Sequence, residues 1–212
     1  DGIQVSNACR GCLAHRCKDN CPKDAISIID HKAVIDKEKC ISCGACVYQC
    51  PFGAITDKSD ITKVISLIRD SNLNRDYHVY AVVAPSMASQ YPNAVPEQVV
   101  AGIKALGFHA VVEAAWGADM VAWLEAQELV EKGFLTSSCC PAFVKYVQQN
   151  FPQMVQYVSH NLSPMATLAK YLKETTPNAK VVFIGPCTAK KAENQLDSVK
   201  PYVDVVLTFE EL

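Results

Sequence analysis

The sequence predicts an α/β protein in two parts, a small cysteine-rich module followed by a larger domain built on a mostly parallel sheet. Eight of the eleven cysteines lie in the first 50 of 212 residues. From residue 77 onward, short apolar runs alternate with segments of helical length and periodicity, which is typical of a parallel sheet covered by helices. We therefore expect a module over 1–57, a helical linker over 58–76 and the α/β domain over 77–212.

The cysteines of the small module form two similar runs. The second run has the spacing C-x2-C-x2-C-x3-C-P, which is that of a bacterial two-cluster ferredoxin, and the first run has two extra residues before its third cysteine. Both runs continue alike, as CPKDAI and CPFGAI, which indicates an internal repeat. The sequence therefore predicts a ferredoxin-like module that holds two 4Fe–4S clusters.

In this spacing the fourth cysteine of each run binds the other run's cluster. The predicted ligands of the first cluster are Cys9, Cys12, Cys17 and Cys50. The predicted ligands of the second cluster are Cys40, Cys43, Cys46 and Cys21. The alternatives are a zinc site, whose four ligands come in two pairs, and structural disulfides. His15 lies in the longer gap of the first run, where it is either a further ligand or a solvated loop residue.

The rest of the chain reads as a linker helix followed by alternating strands and helices. The linker helix, DITKVISLIRDSN, carries its apolar residues at helical spacing. Strands are predicted over 77–85, 109–115, 134–137, 180–186 and 203–208. Helices are predicted over 96–107, 118–132, 141–150 and 163–176, with proline starts and glycine stops. Thr208 and Glu211 have capping-box spacing, so we expect a helix to begin in TFEEL and Leu212 to be a truncation point.

Reactive residues follow three of the predicted strands. They lie in Ala84-Pro85-Ser86, in Ser137 to Pro141 and in Gly185 to Lys191. Parallel sheets bind ligands beyond the carboxyl ends of their strands, so we expect these segments to converge on a further metal site. Taken singly, the late cysteines could instead be core thiols or a vicinal disulfide, and the two lysines could face solvent.

Composition excludes several classes of function. The net charge of −2 gives no case for binding nucleic acid or an anionic membrane. The longest apolar runs, YAVVAP and VVFIG, are far shorter than a membrane span. Clustered thiols without a secretory signal favour a reducing compartment, so we expect a cytoplasmic protein.

Two segments, LTSSCCPAFV over 135–144 and FIGPCTAKKAE over 183–193, resemble two of the three signature segments of the iron-only (FeFe) hydrogenases. The resemblance implies a hydrogenase-type α/β domain that interconverts H2 with protons and electrons. It also implies the family's active centre, the H-cluster, in which four cysteines hold a 4Fe–4S cluster bridged to a di-iron unit with CO and cyanide.

Residue roles follow from the same resemblance. Cys140 and Cys187 would be two of the four metal ligands, and Cys139 the thiol that relays protons to the di-iron unit. Lys190 would donate a hydrogen bond to one cyanide, and the backbone around Pro85 and Ser86 would bind the other cyanide. The family's proton path would run through Cys139, Glu125, Ser159 and Glu128. The alternative for the two glutamates, which are three residues apart, is an ordinary solvated helix face.

The resemblance also implies partners: a ferredoxin or similar electron carrier, and hydrogenase maturation proteins. The third signature, which carries the last two cysteines of the centre, is absent from this sequence, so we expect the 212-residue chain to be inactive alone. Two other functions remain open, a non-catalytic hydrogenase-like iron–sulfur assembly protein and an H2-sensing subunit.

Overall fold

The computed structural model describes residues 2–212 and has a mixed α/β architecture. The cysteine-rich module consists of β1 Gln4–Val5, α1 Arg16–Asp19, β2 Ile26–Ile29, β3 Lys32–Ile35, α2 Ala45–Gln49 and β4 Ile55–Thr56. β1 pairs antiparallel with β4, and β2 pairs antiparallel with β3. The two cysteine runs therefore fold onto each other through two small sheets.

The sequence repeat is also a repeat of the backbone. Asp24 and Gly53 occupy the same position in CPKDAI and CPFGAI, and both are left-handed, with φ of 47° and 58°. Glycine, or a small polar residue such as aspartate, tolerates this conformation best. The turn that follows the Cys-Pro pair is therefore built in the same way in both halves.

The remaining chain forms the linker helix and the larger domain. Its helices are α3 Ile61–Asp70, α4 Met87–Gln90, α5 Pro96–Ala105, α6 Ala115–Lys132, α7 Pro141–Asn150, the 3-10 helix Pro152–Tyr157, α8 Pro164–Thr175 and α9 Ala189–Glu193. Its strands are β5 Val79–Val83, β6 Ala110–Glu113, β7 Lys180–Gly185 and β8 Val205–Thr208. All four strands are parallel, in the order β6-β5-β7-β8.

The core of the larger domain lies on the two central strands. Val79, Val82, Val181 and Ile184 are fully buried, as expected for parallel strands with both faces covered. Helix α8 packs on β5 and β7 and also contacts α6, and α3 packs on β8. The carboxyl ends of β5 and β7 thus lie side by side, and each leads directly into a predicted site segment.

Two predicted elements are wrong. Residues 134–137 form no strand of the sheet; Thr136 makes a single bridge to Val158. The 3-10 helix returns the chain beside Thr136, so the Thr136 amide donates to Tyr157 O (2.7 Å) and the Ser159 amide to Thr136 O (2.8 Å). These two bonds satisfy the Thr136 backbone without a sheet.

The chain after β8 forms a turn and not a helix. The predicted capping box is nevertheless present: the Glu211 amide donates to Thr208 Oγ1 (3.3 Å) and the Thr208 amide to Glu211 Oε2 (2.8 Å). Within residues 2–212, no helix is both long enough and apolar enough to cross a membrane.

Candidate metal centres

Four cysteines surround a first cavity in the module. They are Cys9, Cys12, Cys17 and Cys50. The apolar part of its lining consists of Ile28, Ala33, Phe52, Ala54 and Ile55, and Arg10, Gly11 and His15 complete it. Three of these cysteines come from the first run and one from the second, which is the crossed grouping expected from the spacing. That they bind a cluster stays a prediction, and the position of His15 leaves its alternative as a ligand open.

A second cavity is lined by the other four cysteines, Cys21, Cys40, Cys43 and Cys46. Ile3, Ala25, Ile26 and Ile35 complete its apolar wall. All eleven cysteines are free thiols, so the structure contains neither the structural disulfides nor the vicinal disulfide considered above.

Backbone amides point at the sulfur atoms of both cavities. The amides of Ala33, Ala25 and Ser42 donate to the sulfurs of Cys9 (3.3 Å), Cys21 (3.3 Å) and Cys40 (3.4 Å). Burial opposes ionisation of Cys50, but backbone amides from Phe52 to Ile55 outweigh it and lower its pKa. Ala25 and Ala54 are equivalent in the repeat, so each half places an amide donor at the sulfur of its fourth cysteine from the same position.

Three other thiols behave in the opposite way; Cys17 and Cys46 are buried and Cys43 is half-buried. Burial, followed by the charges of Cys40, Cys43 and Cys21, raises the pKa of Cys46 to about 12. Burial also raises the pKa of Cys17 and of Cys43. Four thiolates can therefore share each cavity only around a cationic group. The donor sets and their amide hydrogen bonds fit 4Fe–4S clusters.

The third site lies where β7 ends. Cys187 follows β7 directly, and its sulfur accepts a hydrogen bond from the Ala189 amide (3.3 Å) at the start of α9. Cys140 precedes α7, and both Cys139 and Cys140 are exposed. The Lys190 ammonium donates to Cys139 O (2.7 Å), which brings the two signature segments together.

Lys190 has a second partner that the sequence analysis missed. Its ammonium lies 2.6 Å from Glu193 Oε2, and the two side chains are only 15% and 7% exposed. The alternative that Lys190 faces solvent is therefore wrong. The i,i+3 spacing of the two residues on α9 could have indicated this pair.

Ser86 adds a donor at the same edge of the sheet. It follows β5, the neighbour of β7, and its hydroxyl is buried without a hydrogen-bond partner in the described part of the chain. Pro85 is exposed. An orphaned hydroxyl at this edge of the sheet suits an acceptor atom on a bound group. The residues present thus fit part of the implied centre, with two thiolates of four.

The structure brings together two of the four predicted proton-path residues. Ser159 Oγ donates to Glu128 Oε2 (3.0 Å), and the Lys132 ammonium lies 2.7 Å from Glu128 Oε1. His160 and Asn161 also contact this carboxylate. Burial opposes its charge, but hydrogen bonds from Lys132, His160 and Ser159 outweigh burial and lower the pKa of Glu128 to about 2. Its side chain is 13% exposed, so a solvated helix face is wrong for Glu128.

Glu125 and Cys139 stand apart from this network. Glu125 Oε1 is buried without a hydrogen-bond partner among the described residues. No hydrogen bond within residues 2–212 joins the Cys139 sulfur to Glu125 or Ser159. A path from Cys139 through Glu125 stays a prediction.

The second cavity adjoins the third site. Cys43 and Cys187 pack against the same small apolar cluster of Ile41, Ala142 and Ala189. Both cysteines also line a cleft of about 610 Å3 between the module and the larger domain. Lys145 Nζ donates to Cys40 O (2.6 Å) and Thr188 Oγ1 to Ser42 O (3.3 Å) across this boundary. A predicted ligand of the second cavity and a predicted ligand of the third site thus pack against the same apolar cluster.

Comparison with known families gives two matches. Residues 77–212 match the model of the iron only hydrogenase large subunit, C-terminal domain. Residues 33–56 match the model of the 4Fe-4S binding domain.

Curated relatives agree with these matches. The chain is 27% identical to the NADP-reducing hydrogenase subunit HndD of Solidesulfovibrio fructosivorans, over 82% of this chain and 34% of the relative. It is 27% identical to iron hydrogenase 1 of Clostridium pasteurianum, over 90% and 45%. It is 28% identical to the periplasmic [Fe] hydrogenase large subunit of Nitratidesulfovibrio vulgaris, over 86% and 56%. The chain thus spans about a third to just over half of the length of these relatives.

Proposed function

This chain belongs to the iron-only hydrogenase large-subunit family, and on that premise we propose that it is the cluster-binding and electron-conducting part of an oxidoreductase that interconverts H2 with protons and electrons. One observation carries the proposal. Cys43, of the second four-cysteine cavity, packs against the same apolar cluster as Cys187, of the hydrogenase signature. Electron transfer needs such proximity, whereas a cluster used only to stabilise the fold does not.

The chain's own residues have distinct roles in this proposal. When bound, the two ferredoxin-type clusters carry single electrons and the di-iron centre supplies the chemistry of H2. The cysteines of the two cavities hold the clusters, and the apolar cluster of Ile41, Ala142 and Ala189 holds Cys43 and Cys187 close together. Lys190, held by Glu193, places a fixed positive charge and N–H donors at the third site. Cys139 carries an exposed thiol there, which can hold a proton at its sulfur.

The proposal extends to partners and place. Electrons would enter or leave through the first cluster, to a ferredoxin or a similar carrier, and maturation proteins would install the di-iron unit. The proposed location is the cytoplasm. Cys140 and Cys187 supply two thiolates, so the centre needs two more thiolates from a further polypeptide segment.

The cluster assignment is tested by anaerobic reconstitution of the chain, with iron and sulfide analysis and electron paramagnetic resonance. We expect two 4Fe–4S clusters. Crossed ligation makes a sharper prediction. The double variant Cys9→Ala/Cys50→Ala removes two ligands of one cluster and leaves the other cluster intact. The double variant Cys9→Ala/Cys21→Ala removes one ligand from each cluster. If Cys9→Ala/Cys50→Ala loses both signals, the grouping is wrong. A chain that binds zinc and no iron overturns the proposal itself.

The third site is tested by infrared spectroscopy in the CO and cyanide region, after incubation with maturation proteins and a segment that supplies two cysteines. Cys139→Ala should keep the bands but suppress H2 turnover, because it removes a proton donor and no ligand. Cys140→Ala should remove the bands. Equal loss of bands in both variants contradicts this division of roles.

A further inference from the structure

Lys191 is the centre of a buried ion cluster that joins distant parts of the chain. Its side chain is 11% exposed, and its ammonium lies 2.5 Å from Asp57 Oδ2 and 2.7 Å from Glu211 Oε2. It also donates to Lys58 O (2.9 Å). Asp57 follows the last strand of the module, Lys58 begins the linker and Glu211 follows the last strand of the larger domain. Two separate segments, the junction of the module with the linker and the turn after β8, therefore meet at one ammonium group on α9.

Glu211 extends this cluster into the linker. Its Oε1 accepts from the Asp60 amide (3.0 Å), at the first turn of α3, while Oε2 accepts from the Thr208 amide (2.8 Å). Burial opposes the charge of Glu211, but Lys191 and the Thr208 amide outweigh it and lower the pKa of this carboxyl. Glu211 is thus an ionised bridge between β8 and the start of α3.

The cluster is buried enough to matter energetically. Asp57 Oδ2 is inaccessible to solvent and has no hydrogen-bond donor other than the Lys191 contact in the described part of the chain. Removing one partner of a buried pair leaves an uncompensated charge, which costs far more than loss of a surface pair. The Arg69–Asp70 pair (2.8 Å) on α3 offers a comparison, because its two side chains are 72% and 56% exposed.

The same short helix also touches the cysteine loop of the module. Thr188, next to Cys187, donates to Ser42 O, which lies between Cys40 and Cys43. We propose that Lys191 is a positioning residue: with Asp57 and Glu211 it locks the module onto the larger domain and so fixes the second cluster beside Cys187. The docking role of Lys191 follows from its contacts within this chain. The consequence of this docking for electron transfer rests on the proposed function.

The test uses the full chain after anaerobic reconstitution, with Lys191→Met, Lys191→Arg and the control Arg69→Met, which breaks an exposed pair on α3. Hydrogen exchange is measured by mass spectrometry on peptides that cover 57–61, which contain the Asp60 amide. We expect exchange to be at least about tenfold faster in Lys191→Met, and within about twofold of wild type in Arg69→Met. Lys191→Arg should restore much of the protection because it keeps the charge.

A second measurement separates positioning from general stability. Redox titration should show a changed reduction potential for the second cluster in Lys191→Met, because the module shifts on the larger domain and changes the solvent exposure of that cluster, and an unchanged potential for the first cluster. Glu211→Gln should show the same pattern more weakly, and it replaces Lys191→Met if that variant does not fold. Unchanged exchange at 57–61, or equal changes at both clusters, overturns the lock. Failure of the wild-type chain to assemble a second cluster refutes the proposed function instead.

Discussion

Glu128 shows how a single acidic side chain can be fixed by its surroundings. Two cationic or polar side chains, Lys132 and His160, contact one oxygen, and Ser159 and Asn161 donate to the other. A carboxyl with a pKa of about 2 is ionised throughout the neutral range. In this structure Glu128 is therefore a permanent acceptor for Ser159, and it is poorly matched to donate protons at neutral pH.

The Glu128 cage predicts a pH-dependent stability. Because the pKa is lowered on folding, ionised Glu128 stabilises the fold above about pH 4.5, and this contribution is lost as pH falls towards about 2. We expect Glu128→Gln to lower the free energy of unfolding at pH 7 by about 1–3 kcal/mol, which lowers the urea midpoint. Near pH 2 the variant and the wild type should have equal urea midpoints. The measurement is far-UV circular dichroism from pH 7 to pH 2.

Glu131→Gln, an exposed change on the same helix, is the control for the Glu128 prediction. Acid also attacks iron–sulfur clusters, but it does so in all three proteins, so the differences between them isolate Glu128. If the urea midpoint of Glu128→Gln lies below that of wild type by the same amount at every pH in this range, the assigned pKa is contradicted.

Residue identity alone indicated some of these contacts and not others. Lys132 lies four residues after Glu128 and Glu193 lies three after Lys190, so both pairs can be read from helical spacing. Asn161 and His160 cannot, because they reach Glu128 only after the 3-10 helix folds the chain back. The crossed grouping of the cysteines around two cavities was predictable because their spacing is that of a two-cluster ferredoxin.

Gly117 sets the distance between α6 and α8 at the element scale. A Cβ atom placed there would lie 2.1 Å from Pro164 O. The two helices therefore approach so closely that only glycine fits, and this contact holds α6, which carries Glu125 and Glu128, against the core helix α8.

Gly117→Ala should destabilise the larger domain, because the helices must separate. Gly102→Ala is a matched control within α5, where nothing lies within 4 Å of the added carbon. In a helix interior alanine is favoured over glycine by about 1 kcal/mol, so we expect the urea midpoint to fall for Gly117→Ala and to stay or rise for Gly102→Ala. Equal midpoints for the two variants contradict the close packing of α6 on α8.

Elements with strong internal signals were predictable. Strands β5 and β7 are continuous apolar runs, and α5, α7 and α8 each begin with proline at the first turn. The segment 134–137 resembles a strand locally, but its single bridge depends on Val158, more than twenty positions away. The turn at 208–212 has the capping signal without the length of a helix.

At the scale of the whole molecule, the docking of the module on the larger domain was not predictable. The bonds from Lys145 to Cys40 and from Thr188 to Ser42 join residues 105 and 146 positions apart. Neither pair has a local pattern, because surface complementarity arises only after both parts fold. Yet this docking places Cys43 and Cys187 against one apolar cluster, on which the proposed electron path depends.

Gly44 tests that docking. It is left-handed, with φ of 80°, and an added Cβ would lie 2.7 Å from Thr188 Oγ1. Gly53 is also left-handed, with φ of 58°, but nothing lies within 4 Å of its added Cβ. Alanine at either position costs about 1–2 kcal/mol in backbone conformation. Only Gly44→Ala also forces the module away from α9. The stability that Gly44→Ala loses beyond the loss in Gly53→Ala therefore measures the contribution of the interface.

We therefore expect Gly44→Ala to lower the urea midpoint for loss of cluster absorbance more than Gly53→Ala does. Thr188→Ala removes the atom that clashes, at the cost of one hydrogen bond to Ser42 of about 1 kcal/mol. The double variant Gly44→Ala/Thr188→Ala should accordingly be more stable than the sum of the two single changes implies, because the clash is gone while the backbone strain remains. Strict additivity of the two changes, or equal midpoints for Gly44→Ala and Gly53→Ala, would mean that the module does not rest on Thr188.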